Sequence, residues 1–168
     1  ASNSPNINPE IQDYLEIKKA EGLMAQKKFE DSERVLRSVK SKRFSSLSLV
    51  MRVESLEGEK KYSQAYNLGT TQLTKINEKT YKNRILAGLI PVVNDSKNWS
   101  KAVPLFEFAR KEKMEGKSLA PFLFLAGKAQ DEQKVCKKTI SYLTEALNLD
   151  PQSSAKTEAK FRLAKCHK

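Results

Sequence analysis

A self-similar spacing of 33 to 37 residues constrains this chain more than any other feature, because a repeat of that length leaves room for only one supersecondary unit per copy. Phe29, Tyr62, Trp99 and Cys136 are separated by 33, 37 and 37 residues. Three residues after each stands a small side chain: Ser32, Ala65, Ala102 and Thr139. Four further on come Leu36, Gly69, Phe106 and Leu143, and nine before each anchor come Ala20, Val53, Ile90 and Gly127. A small residue opposite a large one lets two helices approach closely. One such pair cannot bury its apolar face, so pairs must stack to build a continuous core.

Apolar positions three and four apart, as in Ile11, Leu15 and Leu23 or Val103, Phe106 and Ala109, read as amphipathic helices. The pattern predicts nine helices, near residues 9–26, 29–41, 46–58, 61–76, 80–95, 99–114, 119–132, 136–149 and 153–167, and essentially no strand. Pro9, Pro121 and the Asp150–Pro151 pair suit helix starts or ends, since proline's missing donor is harmless in a first turn. Pro91 and Pro104 fall inside predicted helices and should bend them or shift their boundaries. No stretch between the patterns is long or polar enough to serve as a linker, so residues 9–168 read as one domain after a flexible segment over 1–8. That opening segment is polar and uncharged, as expected of a frayed terminus or of a tether left after removal of a signal or lipid anchor.

In the fourth unit Leu123, Ala126 and Gly127 open the pattern, Thr139 and Leu143 follow, and Ala146-Leu147-Asn148-Leu149-Asp150-Pro151 closes it. This resembles the tetratricopeptide repeat family, whose pattern sets a large apolar residue before a small pair, then an alanine, an aromatic and a closing proline. Departures are Gln130 for an aromatic, Thr139 for the alanine, Gly69 for a large side chain, and the missing closing proline of the first three units. The resemblance implies an all-α right-handed superhelix of about four helix pairs plus a terminal helix, with a concave inner wall formed mainly by the first helix of each pair. It further implies a scaffold or adaptor that holds a protein or peptide segment in that groove and catalyses nothing. By the same analogy the wall includes Tyr14, Ile17, Glu21 and Met24, then Leu47, Val50, Glu54 and Glu57, then Phe124, Lys128 and Asp131. Ile17, Glu21 and Met51 stand where some members carry the Lys, Arg and Asn that grip a terminal carboxylate, so an apolar or mixed groove is expected instead. Ile17, Val50 and Phe124 read equally well as core.

Thirty-one Lys and Arg against 20 Asp and Glu give a net charge of +11. The first 84 residues hold 16 basic and 11 acidic side chains and the second 84 hold 15 and nine, so the excess is not gathered into one nucleic-acid patch. One local pattern stands out. Lys27, Lys60, Lys97 and Lys134 each precede an anchor by two residues, with Lys28 and Lys61 doubling the first two. They fall in the turns within helix pairs and form a basic rim, a candidate surface for anionic partners, although exposed turns favour Lys for solubility alone.

Catalysis has little to draw on. The one histidine, His167, is penultimate, Cys166 beside it points about 100° away on a helix, and no Gly-rich phosphate loop occurs. The Asp131–Glu132 pair reads as solvated charge at a helix end. No cofactor, metal or small-molecule substrate is expected. Cys136 and Cys166 are either free or bridged across 30 residues, and the compartment stays open, a bacterial periplasm or envelope being one setting. No run of about 18 apolar residues is present to cross a bilayer. Three readings result: a groove that binds protein, a basic rim that binds nucleic acid or an anionic surface, and a noncatalytic arm of a larger enzyme.

Overall fold

The computed structural model describes residues 7–167. Among them the chain is 80% helical and holds no strand. Its α-helices are α1 (Pro9–Ala25), α2 (Phe29–Leu36), α3 (Lys42–Gly58), α4 (Tyr62–Gln72), α5 (Lys79–Ser96), α6 (Ala102–Lys111), α7 (Ala120–Glu132), α8 (Cys136–Leu149) and α9 (Lys156–Cys166). Short 3-10 turns occupy Leu73–Lys75, Trp99–Lys101 and Gly116–Ser118. The chain divides into two compact units, Ala1–Gly88 and Leu89–Lys168, and the division falls inside α5. The chain crosses it as helix rather than as linker, so no change of composition marks it, and residues 9–168 read in sequence as one domain.

In the first unit α1 packs on α2, α2 on α3 and α3 on α4, while α1 also rests directly on α3. The Asn8 side-chain oxygen accepts the Glu10 N–H at 2.9 Å and Pro9 occupies the first turn, so α1 begins with a cap. Asn8, the last residue of the segment expected to be flexible over 1–8, thus caps α1; residues 1–6 lie outside the described residues.

The α2–α3 connection departs from the expected boundaries of 29–41 and 46–58, since α2 ends at Leu36 and α3 starts at Lys42. Its cause is a buried carboxylate. Asp13, on α1, accepts the backbone N–H groups of Lys40 at 3.1 Å and Ser41 at 2.6 Å, fixing that stretch in a non-helical path. Burial alone would raise the Asp13 carboxyl, but the hydrogen bonds from Ser41 and Lys40 prevail and hold it below its ordinary value.

The small and large positions that follow each anchor of the repeat lie in the core, while the anchors themselves are half-buried. Ser32, Ala65, Ala102 and Thr139 are all 0% exposed, and Leu36, Gly69, Phe106 and Leu143 are buried beside them. Ser32 and Ser55 stay satisfied there, Ser32 Oγ donating to Ala20 O at 3.3 Å and Ser55 Oγ to Ser32 Oγ at 3.2 Å. Glycine is required for space at Gly58 and Gly127. A Cβ on Gly58 would lie 2.6 Å from the Phe29 ring, and one on Gly127 would lie 2.5 Å from Leu143.

In the second unit α6 packs on α7, α7 on α8 and α8 on α9, and α7 also rests on α9. Each unit thus repeats one arrangement, consecutive helices paired and the first helix of a pair set against the first helix of the next. Pro104 becomes the third residue of α6 because a 3-10 turn over Trp99–Lys101 delays the helix start, which places proline where no backbone donor is needed. Pro91 remains inside α5.

Candidate functional site

A cleft of about 240 Å³ lies in the second unit between the end of α5, α7 and α9. Its apolar side is formed by Ile90, Pro121, Phe124, Leu125, Leu143 and Ala159, and its polar side chiefly by Asn94, Lys128, Glu158 and Arg162. Helical spacing puts Phe124 and Lys128 one turn apart on α7, and Glu158 and Arg162 one turn apart on α9, so the two helices present an apolar floor below a charged mouth.

Lys128 Nζ sits 3.1 Å from Asn94 Oδ1, 3.1 Å from Glu158 Oε1 and 5.5 Å from the centroid of the Trp99 ring. Arg162, 13% exposed, donates to Asp131, to Glu132 at 3.0 Å and to Glu158 at 2.9 Å. Lys165 adds a contact to Asp131 at 3.2 Å. Three cations therefore face three carboxylates, and the mouth is neutral with every charge oriented. Burial alone would raise the Glu158 carboxyl, yet hydrogen bonds from Lys128 and Arg162 hold it below its ordinary value. Burial likewise opposes the Arg162 charge, and its bonds to Glu158, Asp131 and Glu132 push its pKa above the usual arginine value instead. Both groups keep their charge across the neutral range, which suits them to orient a ligand rather than to exchange protons.

No family model, curated protein or solved structure matches the chain. Its chemistry is accordingly that of its own residues.

The residues expected on an inner wall fall into three groups. Phe124 and Lys128 line the cleft, and Asp131 holds its rim through Arg162 and Lys165. Asp131 is only 8% exposed, which corrects its reading as solvated helix-end charge: a partner 31 residues away in sequence buries it.

Of the two readings open for Ile17 and Val50, wall or core, the structure favours the core. At 2% and 1% exposure they have no surface to offer, and Ile17 packs with Ala20, Leu36 and Met51 in the core of the first unit. Met24 and Leu47 lie half-buried against that same cluster. An apolar residue three or four places from another marks a helix face but does not say whether that face meets a helix or a groove.

The remaining first-unit residues are dispersed. Tyr14 is 47% exposed and faces Phe44 at 6.3 Å between centroids, with Lys18 5.8 Å from its ring. Glu21 pairs with Lys18 at 2.8 Å, and Glu54 receives a two-pronged bond from Arg84 at 2.8 and 2.9 Å. Glu57 is half-buried near the end of α3, where its backbone carbonyl accepts the Lys60 N–H. Sequence reasoning did not find Asn94, Glu158 and Arg162, because polar and charged residues about 30 places apart leave no periodic signal.

The lysine positions share one backbone property. Lys27, Lys60, Lys97 and Lys134 adopt φ of +59°, +61°, +53° and +60°, and all four are exposed. Each lies within two residues of the end of α1, α3, α5 or α7 and closes it. The N–H groups of Lys27 and Lys28 return to Met24 and Leu23, those of Lys60 and Lys61 to Glu57 and Leu56, and those of Lys134 and Val135 to Asp131 and Gln130, all at 2.8–2.9 Å. Glycine suits this conformation and an L side chain does not. Lys28 is exposed and Lys61 pairs with Glu59.

Cys136 and Cys166 are joined as a disulfide, their Cα atoms 5.2 Å apart. Among the described residues no helix is long and apolar enough to cross a membrane.

Proposed function

We propose that this chain is a noncatalytic interaction module of the tetratricopeptide type, a right-handed stack of helix pairs that takes a protein segment into a groove. The observation that carries this reading is the second-unit cleft, with a floor of Phe124, Leu125 and Leu143 beneath fixed ion pairs of opposite sign. An apolar floor rewards burial of a partner's apolar side chain at about 25 cal/mol per Å². Neutral, oriented charges at the mouth then favour a segment of mixed character over a strongly acidic or basic one.

Selection of a displayed peptide library on the whole protein tests this. Enriched peptides should carry an apolar anchor and lose at least about tenfold in affinity to Ser154→Trp, a substitution that fills the cleft from the exposed lead-in to α9 without removing core atoms. Failure to enrich any peptide, or peptides indifferent to Ser154→Trp, would refute the groove reading.

A second reading is favoured by one observation. Five lysines, Lys27, Lys60, Lys97, Lys113 and Lys134, occupy backbone positions that favour glycine, so the chain carries a cationic side chain at each despite its conformational cost. That pattern fits a surface for anionic partners. Changing Lys27, Lys60, Lys97 and Lys134 to Glu takes the net charge from +11 to +3, a change of −8, and should abolish salt-sensitive adsorption to anionic vesicles or RNA if the reading is right.

A further inference from the structure

The helix that forms one wall of the cleft is weakly held by its own packing. α9 buries a single side chain, Ala159, and leaves Phe161 67% exposed. It packs on α8 and more sparingly on α7, to which Arg162 and Lys165 reach by ion pairs with Asp131 and Glu132; Lys165 and Glu132 are exposed, so their pairs add little net stability. Yet Glu158, Ala159 and Arg162, with the lead-in Ser153–Ala155, supply that wall. One covalent tether remains. The Cys136–Cys166 bond ties the first residue of α8 to the last residue of α9 across 30 residues, and neither cysteine is fully buried.

We propose that this disulfide is a redox latch on the cleft: oxidised, it holds α9 in place as a wall; reduced, it lets α9 detach and the cleft open on that side. For its effect on a partner the proposal rests on the groove reading above, whereas the release of α9 is independent of it.

The chemistry needs a dithiol reductant. Its thiolate attacks Cys166 Sγ, the Sγ–Sγ bond breaks, and the Cys136 sulfur leaves as a thiolate that takes a proton from water. The second thiol of the reductant then displaces Cys166 as its thiol and closes the reductant into a disulfide, so two electrons and two protons pass to the protein. Placement favours this course. Cys136 is the first residue of a 14-residue helix, where unpaired backbone N–H groups stabilise a departing thiolate, and Lys134, Lys137 and Lys138 surround it in sequence.

Amide hydrogen exchange on the full chain tests the latch without any ligand. Dithiothreitol should speed exchange over residues 156–166 by about tenfold or more while residues 120–132 keep their protection, because a link closing a loop of this length contributes a factor of that order or larger. The Cys136→Ser/Cys166→Ser double variant should show the same fast exchange without reductant and no response to it. Two results would overturn the proposal: α9 protection unchanged on reduction, or α7 and α8 losing protection as much as α9, which would make the bond a staple for the whole unit. If α9 is released but peptides selected on the cleft bind the oxidised and reduced forms equally, the regulatory role is overturned while the groove reading stands.

Discussion

Replacing the helix-closing Lys27, Lys60, Lys97 and Lys134 by glycine should stabilise the protein, although four side chains are removed. Lys27, Lys60, Lys97 and Lys134 sit at φ between +53° and +61°. An L residue in that region costs roughly 1–2 kcal/mol, and glycine avoids this but loses about 0.5–1 kcal/mol more conformational freedom on folding. The net gain is about 0.5–1 kcal/mol at each site. The four sites lie in separate turns and should add to about 2–4 kcal/mol, or a rise in Tm of roughly 5–15 °C. Net charge falls from +11 to +7 by loss of four lysines, and relief of self-repulsion would stabilise the protein without any backbone effect. The matching Lys→Ala set removes the same charges and keeps the steric cost, so it serves as the control. Urea and thermal unfolding followed by circular dichroism at neutral pH would measure both. A glycine set no more stable than the alanine set would show that the positive φ carries no penalty here, and would remove the reason for reading these lysines as kept for their charge.

Two further predictions concern the interior. Asp13→Ala should destabilise the first unit by about 2 kcal/mol, because the Lys40 and Ser41 N–H groups lose their acceptor. Since the folded Asp13 carboxyl is held below its ordinary value of 3.8, its contribution is complete above about pH 4 and fades as pH falls through the folded value, so wild-type and variant urea midpoints should converge below pH 4. Gly127→Ala should cost about 1–3 kcal/mol, as its Cβ would meet buried Leu143 at 2.5 Å, whereas Gly22→Ala, with nothing within 4 Å of its Cβ, should stabilise α1 by up to about 1 kcal/mol; equal effects at the two sites in urea unfolding would contradict the packing.

The all-α architecture and nearly every helix were legible in the sequence because a period written in small and large residues is a direct image of helix-pair packing. Ser32, Ala65, Ala102 and Thr139 show it best, spaced by the repeat and all wholly enclosed. The α2–α3 boundary was not legible, since it depends on Asp13, some 27 residues upstream of the backbone groups it binds. The cleft was legible in part. Phe124 and Lys128 follow from their place on a first helix, but the mouth is set by Arg162 and Glu158 of α9, whose role arises only when α9 lies against α7. The lysine turns were visible as a charge pattern, and their backbone conformation was not, because lysine is the wrong residue to signal it.

The most direct test of the groove reading is a map of where a selected peptide sits. With isotope-labelled protein, titration of an enriched peptide should shift backbone amides around Phe124, Lys128, Ser154 and Glu158, and leave those of Lys27, Lys60 and Lys97 unmoved. Shifts gathered at the lysine turns, with the cleft amides silent, would contradict the groove reading and put the basic rim in its place.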